Sequence, residues 1–414
     1  MEILISGASV AGPVLAYWLR RHGFTPTVVE RAPGLRKTGG HAVDLFRPAM
    51  EIVERMGLLP AVQARSTGTD RMTMLREGVT RGVEVDVERL MAAFSTRHVE
   101  IMRDDLAEIL VAATRDDVEY VYGDSIAGIA ERGDGVDVTF EHGAPRRFDL
   151  VIGADGLHSN VRRLVFGEER QFAHHIGAHL AVVTLPNYLG LNNHSVMFGA
   201  PGRMAALYSA RHMDDARAVF LWRTPDGLAV HHRDVARQKE LLRAAFAGIG
   251  WEVPRILAEL ERTPAFYFDA ITQLRMDTWS RGRVSLVGDA GYSPGPAVGG
   301  STSIAVVGAY VLAGELARAG GDHVRGFGAY ERALTEYVRR SRVFALRAAE
   351  QLIPDSRLAL WAQAQVMSLL SHMPTRLARA VTSLGRKRVR LHDEFVVETY
   401  ARPRVDEVAG ASAA

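Results

Sequence analysis

The sequence of 414 residues contains no cysteine. This absence excludes disulfides, thiolate metal sites and cysteine nucleophiles, and it fits a reducing compartment. No apolar run reaches the ~18 residues that a membrane-spanning helix needs. Strand and glycine signals begin at Ile3 with no basic segment before them, which is not the pattern of a secretion signal. We therefore predict a cytoplasmic protein without a membrane span.

The chain also lacks an excess of charge of either sign. Fifty basic residues against 48 acidic ones leave a net charge of +2, which predicts no nucleic-acid partner. Its apolar content of 47% and charged content of 24% are those of an ordinary globular protein, and the length predicts two or three domains. The 15 histidines show no metal-site spacing, and no Ser-His-Asp arrangement indicates hydrolysis. We expect no metal.

What the chain does contain is a βαβ pattern in its first thirty residues. An apolar strand at 2–6 runs into a glycine-rich turn, a helix follows, and a second strand ends at Glu30. Gly7 permits the tight turn, and Gly12 lets the helix pack closely on the strand. Ser9 stands where the G-x-G-x-x-G pattern has its middle glycine. The pattern predicts a dinucleotide-binding site.

The chemistry of this turn suits a pyrophosphate. Free N–H groups at Ser9, Val10 and Ala11 and the positive end of the helix dipole would hold it. Glu30 lies 18 residues beyond Gly12, close to the ~20 typical of the acid that binds the ribose hydroxyls. A glycine-rich turn without a ligand would look similar, but strand, helix and acid occur together here.

Farther along, the chain alternates between strand and helix patterns. Residues 70–90 alternate as half-buried strands that include Val87, and 178–223 predicts an antiparallel sheet separate from the first domain. Other predicted strands are 118–122, 126–130, 136–140, 149–153 and 283–287. Predicted helices are 48–56, 104–113, 235–247, 254–261, 302–319, 323–350 and 356–384.

Two later turns also place a carboxylate after a buried strand. Asp155 follows strand 149–153, and Asp289 follows strand 283–287 before a loop rich in glycine and proline. One dinucleotide fold needs only the first turn. Three turns predict a cofactor long enough to touch three separated loops. FAD in its extended form fits, with ADP at the first turn and the isoalloxazine near the third.

With these motifs the chain resembles the FAD-dependent aromatic hydroxylases. These are the single-component flavin monooxygenases, which include 4-hydroxybenzoate hydroxylase and the tetracycline-inactivating monooxygenases. The matching segments span residues 1 to about 315, and they are 7–12 with Glu30-Arg31, 39–45, Arg103-x-x-Leu106, 149–162 and 288–299.

The resemblance implies an α/β fold in which a FAD-binding Rossmann-like βαβ domain is interleaved with an antiparallel-sheet substrate domain. C-terminal helices follow. The implied FAD domain is discontinuous and comprises 1–70, 98–165 and 283–350. The substrate domain would comprise 71–97 and 166–282, and the C-terminal helices and tail 351–414.

The same resemblance assigns residues to the cofactor. Glu30 would hold the adenosine ribose, Arg103 would reach the cofactor, and Asp289 would bind the ribityl chain. From its sequence position alone, Arg103 could equally be a solvated residue at a helix start. The full set of implied FAD-binding residues is Gly7, Ser9, Val10, Ala11, Gly12, Glu30, Arg31, Arg103, Asp155, Asp289, Pro296, Gly299 and Gly300.

The implied reaction is the hydroxylation of an aromatic or polyketide-like small molecule by O2 through a flavin C4a-hydroperoxide. NADPH or NADH would reduce the flavin without a dinucleotide fold of its own, and no second G-x-G-x-x-G unit appears. No protein nucleophile is required, and no catalytic base is identified. Phe198, Tyr208, Trp222 and Ala297 are candidate substrate contacts, and the first three fit a role as core residues equally well.

Two departures from the family pattern keep an alternative open. Gly291-Tyr292 stands where the family often has Ala-His, and Ser301 stands where it tends to have glycine. Tyr292 is most simply a packing change. The alternative is a FAD-binding protein without redox turnover, acting as a cyclase or ligand-binding protein. Halogenation is disfavoured because no Trp-x-Trp-x-Ile motif is present. The substrate, the choice of NADPH or NADH and the oligomeric state are left open.

Overall fold

The computed structural model describes residues 1–35, 39–95, 97–225, 227–228, 230–295, 300–374, 377 and 395–400. The strands in these residues are, in chain order, β1 Glu2–Ser6, β2 Thr25–Glu30, β3 Ala42–Phe46, β4 Arg71–Arg76, β5 Val83–Asp86, β6 His98–Met102, β7 Glu119–Tyr122, β8 Ile126–Arg132, β9 Gly135–Phe140, β10 Arg146–Phe148, β11 Leu150–Gly153, β12 Ala173–Pro186, β13 His194–Ala200, β14 Arg203–Tyr208, β15 Asp215–Arg223, β16 Phe266–Leu274, β17 Ser280–Arg281 and β18 Val284–Leu286.

The α-helices in the same residues are α1 Ala11–Arg21, α2 Arg47–Arg55, α3 Leu59–Ala64, α4 Val87–Phe94, α5 Arg103–Ala112, α6 Asn160–Val165, α7 Val235–Ala245, α8 Val253–Glu259, α9 Asp289–Tyr292, α10 Ser301–Arg318, α11 His323–Leu352 and α12 Arg357–His372. None of the described helices is long and apolar enough to cross a membrane.

A mostly parallel sheet carries the first βαβ unit. Its strand order is β17-β18-β11-β1-β2-β7. Strand β1 pairs in parallel with β2 and β11, and β11 pairs in parallel with β18. Ile3, Leu4 and Ile5 are fully buried, as expected for a central strand with both faces covered. Because parallel strands end at one edge of a sheet, the three predicted turns meet there.

A second sheet of seven strands has the order β16-β12-β15-β14-β13-β4-β5. Its pairs are antiparallel except for β13 and β4, which run parallel. One face packs on α7 and α8 through residues such as Phe220, Phe246 and Ile256. The opposite face, with Leu180 and Ile271, packs on α11 and looks toward the parallel sheet.

The predicted fold class is confirmed, with two local differences. Val87 does not continue a strand but begins α4, where the side chain of Asp86 caps the helix by accepting from Arg89 N. Strands β6, β10, β16 and β17 were not predicted, and β16 borders the site described below. The strands of 71–86 join those of 173–223 and 266–274 in one sheet, while the domain boundaries themselves stay predictions.

The long apolar helix α10 lies beneath the parallel sheet and against α1. Its residues are almost all buried. The segment 395–400 crosses its carboxyl end, where the hydroxyl of Tyr400 donates to Glu315 Oε1 at 2.9 Å. Tyr400 can lie there because position 314 is glycine, since an added Cβ would come within 2.2 Å of its ring. The other end of α10 opens onto the site.

Candidate functional site

A cavity of about 980 Å³ lies at the carboxyl edge of the parallel sheet. Its volume is at the upper end of the range for small-molecule and cofactor sites. It is lined by the turns that follow β1, β2, β11 and β18, by the first residues of α1, α5 and α10, and by β3 and β16. The three turns predicted from the sequence therefore open into one space.

The first turn requires its glycines. Gly7 has a φ of +110°, and a Cβ added there would lie 2.5 Å from the carbonyl oxygen of Ala154. A Cβ at Gly12 would lie 1.9 Å from the carbonyl oxygen of Gly7. Gly7 lines the cavity, and Gly12 packs beneath it. Both positions therefore exclude any side chain, which is what the sequence motif predicts.

The N terminus of α1 is open for an anion. Ser9, Val10 and Ala11 line the cavity. No side chain caps this helix end, and no acidic residue stands in its first turn. Its first backbone N–H groups and the positive end of its dipole are therefore free to bind a phosphate group.

Glu30 is held in place by the turn that it faces. Its carboxylate accepts from Ala8 N and from Ala32 N, each at 2.9 Å. Arg31 lies beside it on the cavity wall. Glu30 therefore lies at the same end of the cavity as the α1 N terminus. A carboxylate with spare lone pairs in this position can accept hydrogen bonds from a ribose.

Asp155 has a different local role. Its carboxylate accepts from Ser159 Oγ at 2.5 Å, from Asn160 N at 2.9 Å and from Val161 N at 3.1 Å. These bonds hold the start of α6. Burial raises the pKa of Asp155 above its usual range, although these hydrogen bonds oppose the shift. Asp155 borders the cavity, and its contact with a cofactor stays a prediction.

At the other end of the cavity, Asp289 follows the left-handed Gly288, whose φ is +67°. Ser301 Oγ donates to Asp289 Oδ1 at 2.6 Å. Burial raises the pKa of Asp289, while hydrogen bonds from Ser301 and Ser293 and the positive charge of Arg103 oppose that shift. Ser301, the departure from the family pattern, is therefore bonded directly to the carboxylate predicted to bind the ribityl chain.

The N terminus of α10 is the second helix end that opens into the cavity. Gly300 precedes it with a φ of +92°, and Gly300, Ser301 and Thr302 line the cavity. This helix too has no side-chain cap and no acid in its first turn, so its dipole favours negative charge there. The predicted site residues Pro296, Ala297 and Gly299 lie outside the described residues.

Arg103 and His41 contribute to the middle of the cavity wall. Arg103 N donates to the carbonyl oxygen of His41 at 3.1 Å. Burial, followed by the nearby charge of Arg103, lowers the pKa of His41 to about 3, so its imidazole is neutral. Within the described residues, the guanidinium of Arg103 has no hydrogen-bonding partner, and it can therefore reach an anionic or polar cofactor.

Strand β16 carries a polar group that was not predicted from the sequence. Tyr267 and Asp269 line the cavity, and the Tyr267 hydroxyl donates to Asp269 Oδ2 at 3.2 Å. His158 lies between Asp269 and Glu169, at 3.2 and 3.0 Å. Burial alone would lower the pKa of His158, but these two carboxylates outweigh it and raise the pKa to about 9. The alternation of Phe266 and Phe268 with polar residues was the available signal.

The sheet residues predicted to contact a substrate lie in different places. Phe198 stacks on Trp251 at 5.6 Å, and Trp222 contacts Phe246, both on the face that packs against α7 and α8. They do not line the cavity and are core residues. Tyr208 lies on the opposite face, where its hydroxyl accepts from Ala42 N at 2.7 Å. It supports β3, which borders the cavity.

Tyr292, the other departure from the family pattern, is fully buried beneath the third turn. The Tyr330 hydroxyl donates to the Tyr292 hydroxyl at 2.9 Å. A Cβ added at Gly308 would lie 1.9 Å from the same hydroxyl. The buried position of Tyr292 is therefore that of a packing residue, as predicted. In the described ranges, no group of three or more His, Asp or Glu side chains is placed to hold a metal ion.

Comparison with known proteins agrees with this geometry. The model of the family described as "FAD binding domain" matches residues 1–351. The chain belongs to the FAD-dependent aromatic hydroxylase family. It is 39% identical over 362 residues to a flavin-dependent monooxygenase of Legionella longbeachae, covering 85% of this chain and 90% of the relative. An uncharacterized protein of Mycobacterium tuberculosis is 45% identical over 341 residues, covering 82% and 91%.

A solved structure shows the same relationship. The crystal structure of the tetracycline destructase Tet(51) is 32% identical and superposes with a TM-score of 0.81, covering 96% of this chain and 99% of the other. In this family member, the residues present fit FAD. One cavity is lined by two uncapped helix N termini and by the carboxylates of Glu30 and Asp289. The predicted family and the predicted FAD cofactor are confirmed.

Proposed function

We propose that this family member is an NAD(P)H-dependent monooxygenase that uses O2 to hydroxylate an aromatic or polyketide-like small molecule. The observation that carries the proposal is that two helix N termini and the carboxylates of Glu30 and Asp289 line the same cavity. Its relatives named as flavin-dependent monooxygenases and tetracycline destructases support it.

The chain's own residues divide the work. Glu30 and the N terminus of α1 would hold the ADP half of FAD, and Asp289 would hold the ribityl chain. The N terminus of α10 would stabilise negative charge on the ring system. When bound, FAD would accept electrons from the reduced nicotinamide and react with O2. This chemistry would deliver one oxygen atom to the substrate.

The remaining task of the protein is to orient the substrate and keep water from the reacting ring. The face of the seven-stranded sheet that carries Tyr267 and Asp269 borders the same cavity. We place the substrate between this face and the N terminus of α10. A protein acid or base is not needed to deliver the oxygen atom, so the proposal names no catalytic residue.

The test is turnover by the purified, FAD-loaded protein. We expect NADPH or NADH to bleach the bound flavin, and O2 to restore its colour with oxygen consumption. With tetracycline as the first probe, chosen from the names of the relatives, and phenols as further probes, a product should carry one oxygen atom from labelled O2.

The alternative of FAD binding without redox turnover gives the opposite result. A fully loaded protein whose flavin is bleached by neither NADPH nor NADH would overturn the proposal and support a cyclase or ligand-binding role. Free FAD with the same reductants is the control for non-enzymatic oxidation. The proposal also includes a cytoplasmic location and a small aromatic molecule as the substrate.

A further inference from the structure

Asp44 lies on β3 directly opposite Glu100 on the antiparallel strand β6. His98 is on the same face of β6, and its Nε2 lies 2.6 Å from Asp44 Oδ1. On the other face of this pair of strands, Val43, Leu45 and Ile101 belong to the main hydrophobic core. Two carboxylates and one imidazole therefore lie together on the face of this strand pair that is opposite the main hydrophobic core.

This cluster, Asp44, His98 and Glu100, borders the large cavity at its α10 end. Asp44 lines the cavity, and its side chain keeps 34% of its surface accessible, against 17% for His98. Ser303 Oγ in the first turn of α10 donates to the carbonyl oxygen of Asp44 at 3.0 Å and lies 3.0 Å from Phe46 N. Asp44 is thus fixed to the helix whose N terminus faces the flavin end of the cavity.

One of the two carboxylate oxygens of Asp44 has no hydrogen-bond donor among the described residues. His98 is at Oδ1, and among the described residues no donor reaches Oδ2. Thr67 Oγ1 donates to Glu100 Oε2 at 2.5 Å. The Tyr208 hydroxyl accepts from Ala42 N, and no hydrogen bond joins it to Asp44 within the described residues. Because a carboxylate oxygen has lone pairs that accept hydrogen bonds, Oδ2 can accept one from a ligand in the cavity.

The titration of the cluster follows from the same geometry. Burial, followed by the charge of Asp44, raises the pKa of Glu100. Burial alone would lower the pKa of His98, but Asp44 and Glu100 outweigh it and raise the pKa. His41, on the other side, is neutral, and Arg217 is paired with Asp215 at 2.8 Å. Among the described residues, no ion pair joins a cation other than His98 to Asp44 or Glu100.

We propose that Asp44, oriented by His98 and backed by Glu100, is the polar anchor of the substrate site. It accepts a hydrogen bond from a hydroxyl group on an aromatic or polycyclic ligand and rejects ligands that carry a carboxylate at that position. The inference rests on the proposed function for the location of the substrate. It adds the ligand's chemistry, since the Asp44 carboxylate accepts a hydrogen bond from a donor and repels a carboxylate on the ligand.

The experiment measures binding to the oxidised, FAD-loaded protein, without turnover. The probes are 2-naphthol, its methyl ether and 2-naphthoate, three ligands of similar size, and binding is followed by equilibrium dialysis. We expect 2-naphthol to bind about tenfold more tightly than the ether, and 2-naphthoate to bind most weakly. In Asp44→Asn the preference for the hydroxyl should fall to about twofold, and the D44N/E100Q double variant should admit 2-naphthoate.

His98→Gln tests the positioning role separately and gives a result if D44N does not fold. Removing the imidazole takes away the contact that orients Asp44, so the preference for 2-naphthol over its methyl ether should fall while the FAD content stays unchanged. Asp137→Asn, a surface carboxylate on β9 paired with Arg147, is the matched control and should alter neither binding order nor FAD content.

Three results would overturn the proposal. They are equal binding of 2-naphthol by D44N and the unchanged protein, tightest binding of 2-naphthoate by the unchanged protein, and no detectable binding of 2-naphthol. Failure of the proposed function is a different result. In that case the binding order holds, while NADPH and NADH leave the flavin oxidised.

Discussion

The two ends of the cavity perform similar tasks with different construction. At the α1 end, Glu30 and the glycine turn belong to one stretch of thirty residues, and both carboxylate oxygens of Glu30 accept from backbone N–H groups. At the α10 end, Asp289 accepts a side-chain hydrogen bond from Ser301 Oγ. Both ends are therefore built by residues close along the chain, and they differ in the donor: backbone N–H groups hold Glu30, whereas a side-chain hydroxyl holds Asp289.

The largest effect is expected at the glycine turn. Gly7→Ala places a methyl group 2.5 Å from a backbone carbonyl at a φ of +110°, which costs about 3 kcal/mol or more. FAD affinity should fall more than about a hundredfold, as measured by titrating apoprotein with FAD. Gly250→Ala, where an added Cβ meets no atom within 4 Å, is the control. Normal affinity in G7A would show that the turn can move without cost.

The next effect is at the other end. Asp289→Ala should weaken FAD binding by roughly 1.5–3 kcal/mol, about ten- to a hundredfold, because a hydrogen bond to a buried carboxylate is lost. FAD titration and thermal melts of the apo forms separate this from a structural role. If Asp289 only supports the turn, the apo variant should lose about 1 kcal/mol of stability and keep its FAD affinity.

Glu30→Ala sharpens the comparison between the ends. Glu30 already accepts two backbone bonds. We expect FAD affinity to fall about tenfold, the usual worth of one charged hydrogen bond. The same titration gives the result, with AMP as a second ligand that reports on the adenosine end alone. A larger loss than in D289A would reverse the ranking of the two ends.

Ser301→Ala tests the bond that distinguishes the α10 end from the family pattern. FAD affinity should fall about fivefold, since one hydrogen bond of about 1 kcal/mol that orients Asp289 is lost. Because Ser301 opposes the raised pKa of Asp289, its removal raises that pKa further. The weakening of FAD binding as pH falls should therefore begin at a higher pH.

Ser301→Thr keeps the hydroxyl and should restore both the affinity and the pH profile. If Ser301→Gly instead binds FAD more tightly, with the pH profile unchanged, then Ser301 competes with the cofactor for Asp289 and does not orient it.

The smallest effect concerns His158, which joins the middle turn to β16. Its pKa is raised to about 9 in the folded protein, against about 6.5 when unfolded. Its stabilisation is therefore complete below pH ~6.5 and is lost as pH rises through about 9. His158→Gln should cost about 1 kcal/mol at pH 6, allowing for its partial exposure, and almost nothing at pH 10.

Unfolding in urea at both pH values measures this difference. His142→Gln, at an exposed histidine, is the control and should show no such pH dependence. An equal loss at pH 6 and pH 10 would mean that His158 stabilises the protein by packing and not by its charge.

What the sequence predicted well is local in the chain. The turn of Gly7 and Gly12 could be recognised because backbone geometry forbids a side chain at both positions, and the spacing to Glu30 is set by one helix and one strand. Asp155 and Asp289 could be recognised because each follows a buried strand. The sheet residues Phe198 and Trp222 could not be assigned to a face, because a strand that is buried on both sides carries apolar residues on each of them.

By itself, then, the sequence determined the family, the cofactor and the three turns, since each depends on residues that are close along the chain. Only the tertiary structure decided which polar groups meet around the cavity. Asp44 and His98 are 54 residues apart, and His158 and Asp269 are 111 apart. The first pair forms across the paired strands β3 and β6, and the second where the turn after β11 meets β16 of the other sheet. No local pattern records which residues then lie within hydrogen-bonding distance.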